Sequence, residues 1–264
     1  MRGSVYLKTL RDLRVAIILW SLGVAAIAAL NVLLYPTVQQ MDGLLAFLDS
    51  MPRVFKAMIG DLSALARLDG FLWVKLFEPL PLLLAIFVVS HGAQALAGEI
   101  EHRHVDLLLA RPVRRRRVVA AKFLALVTGV TVIGVATALA VVVSAAIIGA
   151  EGSTRRLVVA TLNALPLSWL FAALALIASS LADHPRSAGF VAGAVVVASY
   201  VFETARLVSP AFAWWRPVSL FAYQKAGYPL AGDPDLVAVL LLLGLTALLA
   251  TGAALGWERR DLAA

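Results

Sequence analysis

The chain has 264 residues, of which 61% are hydrophobic and 15% charged, and its mean hydropathy is +0.89. A soluble domain is typically about half apolar and about a quarter charged, so this composition excludes an ordinary soluble enzyme and a disordered chain. There is no cysteine, which excludes disulfides, thiolate metal sites and a cysteine nucleophile, and the net charge of +7 in so apolar a chain reports orientation before it reports nucleic-acid binding.

Residues 1–14 place Tyr6, Leu7, Leu10, Leu13 and Ile17 on one helical face, with Lys8, Arg11, Asp12 and Arg14 elsewhere. The pattern predicts an amphipathic interface helix leading into the first span. That span covers about residues 15–35, is uncharged and ends before Pro36. Its apolar run is too long for a signal peptide and lacks a small-residue cleavage site, so it reads as a retained span. In residues 37–75 the apolar positions of Leu44–Leu48 and Val54–Ile59 recur at helical spacing, broken by Pro52 and Gly60. They predict short helices on the outer membrane surface.

The second span covers about residues 76–97, with Glu78 near its start and Pro79 and Pro81 in a first turn. A polar, basic link over 98–117 follows. The third span, about 118–148, is too long to cross straight, so its first turns, with Lys122, lie at the interface or the helix tilts. The fourth span covers about 157–181, with a kink expected at Pro166. After a short link at 182–187 the fifth span covers about 188–208, with Glu203 and Arg206 near its end. Residues 209–235 form a second external excursion, in which Trp214, Trp215, Tyr223 and Tyr228 fit an interfacial belt. The sixth span covers about 236–257.

The expected fold is therefore an all-α integral membrane protein, one six-span domain over residues 1–264. Six spans put both termini on one side. Fourteen of the 23 Lys and Arg and seven of the 16 acids fall on that side, and the remaining nine of each cancel on the other. All of the +7 thus lies on one face, which predicts a plasma or inner membrane protein with both termini cytoplasmic.

Motifs for chemistry are few. No Gly-x-x-x-x-Gly-Lys-Ser/Thr, His-Glu-x-x-His or Gly-x-Ser-x-Gly occurs. His102 and His104 are two apart and do not share a helix face, while His91 and His184 are isolated. These absences speak against an intramembrane enzyme, and no metal or cofactor site is expected in this chain. Glu78 and Glu203 are the ionisable residues in spans, hence candidates for a substrate or proton path, unless their position near the outer ends simply puts them in water. With no carboxylate near a midplane, the energy source is expected outside the chain. Gly189-x-x-x-Gly193 and Gly252-x-x-x-Gly256 permit close helix approach, either within the chain or between two copies.

The segment from Gly98 to Arg117 carries Glu99, Glu101, Asp106, the leucines 107–109, Pro112, Val113 and Arg115, and Lys122 follows in the third span. This order resembles the signature of type-2 ABC export permeases: acids after the second span, a Leu-Leu run, Pro-Val-x-Arg, and a Lys opening the third span. His104-Val105 and Arg114 depart from that pattern, which leaves the fine form of the turn open. The stretch Phe47–Pro52 with Met58-Ile59-Gly60 resembles the first external loop of these permeases, and Trp257–Leu262 their aromatic-x-Arg-Arg-Asp ending.

The resemblance implies a membrane subunit without ATPase activity of its own. Two such chains, often identical, would pair with two ATPase subunits, and those subunits would bind ATP and Mg. It implies a cytoplasmic coupling helix over Glu99–Ala110 and a second contact at 183–186. The residues expected to meet the ATPase are Glu99, Glu101, Asp106, Leu107, Leu108, Asp183, His184 and Arg186. Arg114, Arg115, Arg116 and Arg117 fit either that partner or an anchor on anionic lipid. The implied activity is export, with an apolar or amphipathic cargo. A different use of the same machinery, force applied to a periplasmic partner protein during assembly or maturation, stays open. No nucleic-acid partner is expected.

Overall fold

The computed structural model describes residues 4–39, 67–101, 114–150, 153–226 and 235–260. The elements in chain order are α1 (Ser4–Gln39), α2 (Leu68–Leu72), a π-helical turn (Trp73–Phe77), α3 (Leu80–Glu101), α4 (Arg115–Ile147), α5 (Thr154–Leu162), α6 (Ala164–Leu181), α7 (Pro185–Val208), a 3-10 turn (Pro210–Trp215), α8 (Leu220–Ala226) and α9 (Leu236–Arg259). Six helical stretches are long and apolar enough to cross a membrane: 5–39, 68–101, 115–147, 154–181, 185–208 and 236–259. The fold is an all-α, six-span bundle.

Four boundaries differ from the sequence expectation, each for a local reason. No break separates an interface helix from the first span, because residues 4–39 form one continuous helix. Its start is held along α4, where the Tyr6 hydroxyl meets that of Thr128 at 3.0 Å, and Leu10, Leu13 and Trp20 pack on the main core. Pro36 lies inside α1 and not after it, in the last turn, where its missing N–H removes a single ladder bond.

The second span starts earlier, at residue 68. Pro79 and Pro81 cannot donate, so the helix widens before them: the Glu78 N–H reaches the Trp73 carbonyl at 2.9 Å, an i to i−5 bond. The ladder then restarts from the Pro79 carbonyl, which accepts from Leu82 and Leu83 at 3.0 and 3.1 Å. The fourth span is not kinked at Pro166 but broken at Asn163. Pro166 thereby falls in the first turn of α6, where no N–H partner is required. The outer helices expected within 40–66 lie outside the described residues.

α4 ends in a Schellman turn. Gly149 takes φ 61°, Ala150 N–H bonds Ala145 C=O at 3.0 Å, and Gly149 N–H bonds Ala146 C=O at 3.2 Å. α9 starts on Asp235, whose carboxylate accepts from the N–H groups of Val237 and Ala238 at 3.0 and 3.3 Å.

The fourth span is the centre of the bundle. Its most apolar stretch is 67% buried, against 22% for the first and sixth spans and 28% for the fifth. Leu167, Leu170 and Phe171 of α6 pack against Leu84, Phe87 and Val88 of α3, Leu126, Val130 and Ile133 of α4, and Phe221 of α8. Large apolar side chains left exposed include Leu19 and Leu22 of α1, Leu139 of α4, Phe190 of α7 and Leu240 of α9. In water such a surface drives aggregation; in lipid it is the expected outside of a bundle.

Candidate coupling face

One end of the bundle gathers the charged residues that the sequence singles out. Glu99, in the last turn of α3, accepts from the Lys122 ammonium of α4 at 2.6 Å. Lys122 is 8% exposed and also donates to the Ala95 carbonyl. A buried ammonium needs such partners, because the charged form would otherwise be strongly destabilised. Glu101 ends α3 and is exposed. Asp106, Leu107 and Leu108 lie outside the described residues.

Asp183 sits in the short link between α6 and α7. Its carboxylate pairs with Arg260, the residue after α9. The same guanidinium donates to the carbonyls of Ser180 at 3.0 Å and Ala182 at 2.8 Å. These are carbonyls that the end of α6 leaves without helical partners. His184 precedes Pro185, the first residue of α7, and its carbonyl accepts from the Ser187 hydroxyl at 2.8 Å. His184 and Arg186 are exposed.

The arginine run opens α4. Arg114, Arg116 and Arg117 are exposed and Arg115 is half-buried. Two of the four are held by the far end of the chain: Arg115 donates to the Arg260 carbonyl at 2.8 Å, and Arg116 pairs with Glu258 at 2.5 Å. Beneath this web Leu96, Val119, Leu176 and Trp257 form an apolar layer. The ends of α3, α4, α6 and α9 are thereby tied into one charged, partly exposed face. Glu99, Asp183 and the arginines come together there. Glu258 and Arg260 take part as well, and Ser179 of α6 bonds the Ala93 carbonyl of α3 beneath them; none of the three is among the residues expected to meet the ATPase. The aromatic-Glu-Arg-Arg ending drew attention to the first two; for Ser179 the only available signal was a hydroxyl within an apolar span.

Glu78 and Glu203 lie toward the opposite end. Glu203 is 1% exposed, and both its oxygens are engaged. Arg206 donates to them at 2.7 and 3.0 Å, and the Ser219 hydroxyl donates at 3.0 Å. The Ser199 hydroxyl accepts from the Leu220 N–H at 2.8 Å. These bonds hold the start of α8 against α7. The Gln224 side-chain amide, 1% exposed, donates to the Phe77 carbonyl at 3.4 Å, and the Gln224 backbone carbonyl accepts from the Asn163 side-chain amide at 3.0 Å, at the break between α5 and α6. Glu78 ends the π-helical turn. Around Trp215 the aromatic side chains form a cluster, in which Trp215 touches Phe202, Phe212 and Trp214 at ring distances of 4.8, 4.5 and 5.6 Å. Tyr228 lies outside the described residues.

A cavity of about 640 Å³ opens at the same end, between the ends of α1 and α4 and the starts of α2 and α5. Tyr35, Gln39, Arg67, Asp69 and Arg156 give it a polar rim, and Val142, Ala145 and Leu157 an apolar floor.

A six-span bundle with a charged end face and an apolar flank defines a multi-pass membrane protein. A family model described as ABC-2 family transporter protein matches residues 5–262, and the chain belongs to this family of ABC transporter permeases. A comparison with curated proteins finds no match. Members of the family generally serve as non-catalytic membrane subunits and typically work with an ATPase subunit.

Proposed function

We propose that this chain is the permease subunit of an ATP-driven exporter and that its charged end face receives the ATPase subunit. The observation that carries this reading is the web joining Glu99–Lys122, Asp183–Arg260 and Arg116–Glu258. It links the end of α3, from which the candidate coupling segment departs, to three other helices. A push on that segment is therefore delivered to the whole bundle. Among the described residues the buried charged side chains are Lys122 and Glu203, and each is neutralised by a neighbour. This supports an energy source in a partner that binds ATP and Mg, and it fits a cargo of apolar or amphipathic character.

In this reading the charged face is cytoplasmic, Glu101, His184 and Arg186 meet the ATPase, and Asp106, Leu107 and Leu108 belong to the coupling segment that receives it. Arg114 and Arg117 face anionic lipid. Glu203 acts as the clamp that fixes α8, not as a cargo ligand. The functional unit contains two copies of the chain, and the outward face of α7, with Phe190, Gly193, Val197 and Val201, is where the second copy packs.

Affinity purification from native membranes tests the proposal. An ATP-binding-cassette protein is expected to co-purify and to carry all the ATPase activity, while the chain alone hydrolyses no ATP. Active transport by the chain alone in proteoliposomes, without a partner, would overturn it.

A further inference from the structure

Near its charged end the backbone of α3 is entered by side chains from two other helices. The Ser179 hydroxyl of α6 donates to the Ala93 carbonyl at 2.7 Å. The same oxygen accepts the N–H groups of Leu96 at 3.0 Å and Ala97 at 2.9 Å. The Ala97 N–H and the Ala93 carbonyl are the donor and acceptor of one rung of the α-helical ladder, and a hydroxyl from outside the helix bonds both of them. Two residues on, the Ala95 carbonyl, the normal acceptor for the Glu99 N–H, receives the Lys122 ammonium of α4. That ammonium also holds the Glu99 carboxylate.

Ordinary back-bonding does not account for this. Ser168, Thr137, Thr161 and Thr246 are buried and donate to the carbonyl four residues earlier in their own helix, at 2.7–2.8 Å. Ser179, 0% exposed, donates across to another helix instead. Close approach of α6 makes the reach possible: a Cβ on Gly92 would stand 2.7 Å from Ala175 Cβ, and Ala93, Ala175 and Ala178 are buried together. A side chain inserted into the i to i−4 ladder is one of the few causes of a localised bend in a helix.

We infer that Ser179 and Lys122 are positioning residues, which set the direction in which the last turns of α3 leave the bundle and hence where the chain after Glu101 is presented. Ser179 supports the rung at Ala93–Ala97 from α6, and Lys122 supports the rung at Ala95–Glu99 from α4. The consequence for coupling rests on the proposed function above; the positioning itself does not.

The chain has no cysteine, so Glu101→Cys and Leu139→Cys can carry a spin-label pair in otherwise unaltered protein. Leu139 is an exposed position of α4, roughly 25 Å from the level of Lys122 along the helix. Ser179→Ala and Lys122→Met are each expected to shift or broaden the measured distance distribution. Lys122→Arg keeps the donor and should restore it, and Ser168→Ala should leave it as in the parent. Ser179→Ala removes one oxygen, so it carries the test even where Lys122→Met fails to fold. Unchanged distances in folded Ser179→Ala protein would overturn the inference. In the complex with the co-purified ATPase, the same variant should lower the ATPase rate about three- to tenfold. Altered distances with an unaltered rate would leave the positioning intact and remove its link to coupling. Unaltered distances would dismiss the positioning whatever the rate.

Discussion

Glu203 and Arg206 show how a charge is tolerated at the edge of an apolar bundle. The carboxylate is 1% exposed, yet three donors surround it. Removing one partner of a buried pair is far more harmful than removing both. Arg206→Ala should therefore destabilise the fold by about 3 kcal/mol, read as a lower thermal midpoint in detergent. The double variant Glu203→Gln with Arg206→Met should recover most of that loss. Equal losses in the single and double variants would show that the pair is not a buried clamp. Ser21 presents the opposite case, a buried hydroxyl without a hydrogen-bond partner. Ser21→Ala removes a desolvated group and is expected to leave the midpoint unchanged or raise it. None of these partnerships could be read from the sequence. Ser179 and Ala93 are 86 positions apart, and a serine in an apolar run carries no mark of the helix it will meet.

The helices themselves were far more legible. Long uncharged runs are sufficient to locate six spans, because the bilayer sets their length. Their interruptions were less so. Pro36 suggests a boundary and Pro166 a kink, but the chain places Pro166 in a first turn and Pro36 in a last turn, where the lost N–H matters little. The two Gly-x-x-x-Gly pairs looked equivalent in the sequence and are not. A Cβ on Gly252 or Gly256 would touch Ile177, Leu181 or Ser180 of α6 at 3.1–3.4 Å, whereas Gly193 has nothing within 4 Å. Gly252→Leu should therefore lower the stability of the single chain by about 1–3 kcal/mol, while Gly193→Leu should not. If α7 packs against a second copy, Gly193→Leu should instead reduce crosslinking between copies through a cysteine at Val197. Loss of single-chain stability in Gly193→Leu would place that face inside the bundle and contradict the assignment.

At the scale of the whole molecule, composition indicates a membrane protein, and the distribution of charge predicts an orientation with both termini cytoplasmic. The charged face is made of residues from distant parts of the chain: 99, 115–122, 183 and 258–260. Its members were visible separately as a basic run, an acidic pair and an Arg-Arg ending, but their convergence required the fold. The orientation has a direct check. A single cysteine at Trp214 should react with an impermeant maleimide on intact cells, and one at Arg259 only after lysis. The reverse pattern would place the charged face outside.

The central claim, that this face receives an ATPase subunit, is tested most directly by crosslinking in native membranes. Single cysteines replacing Glu101 and Arg186 lie on the charged face, and one replacing Trp214 lies at the opposite end. With a short bifunctional reagent, Glu101→Cys and Arg186→Cys should each form an adduct with the ATP-binding partner, and Trp214→Cys should form none. An adduct at Trp214 alone, or none at Glu101 and Arg186 in membranes where the ATPase co-purifies with the chain, would contradict it.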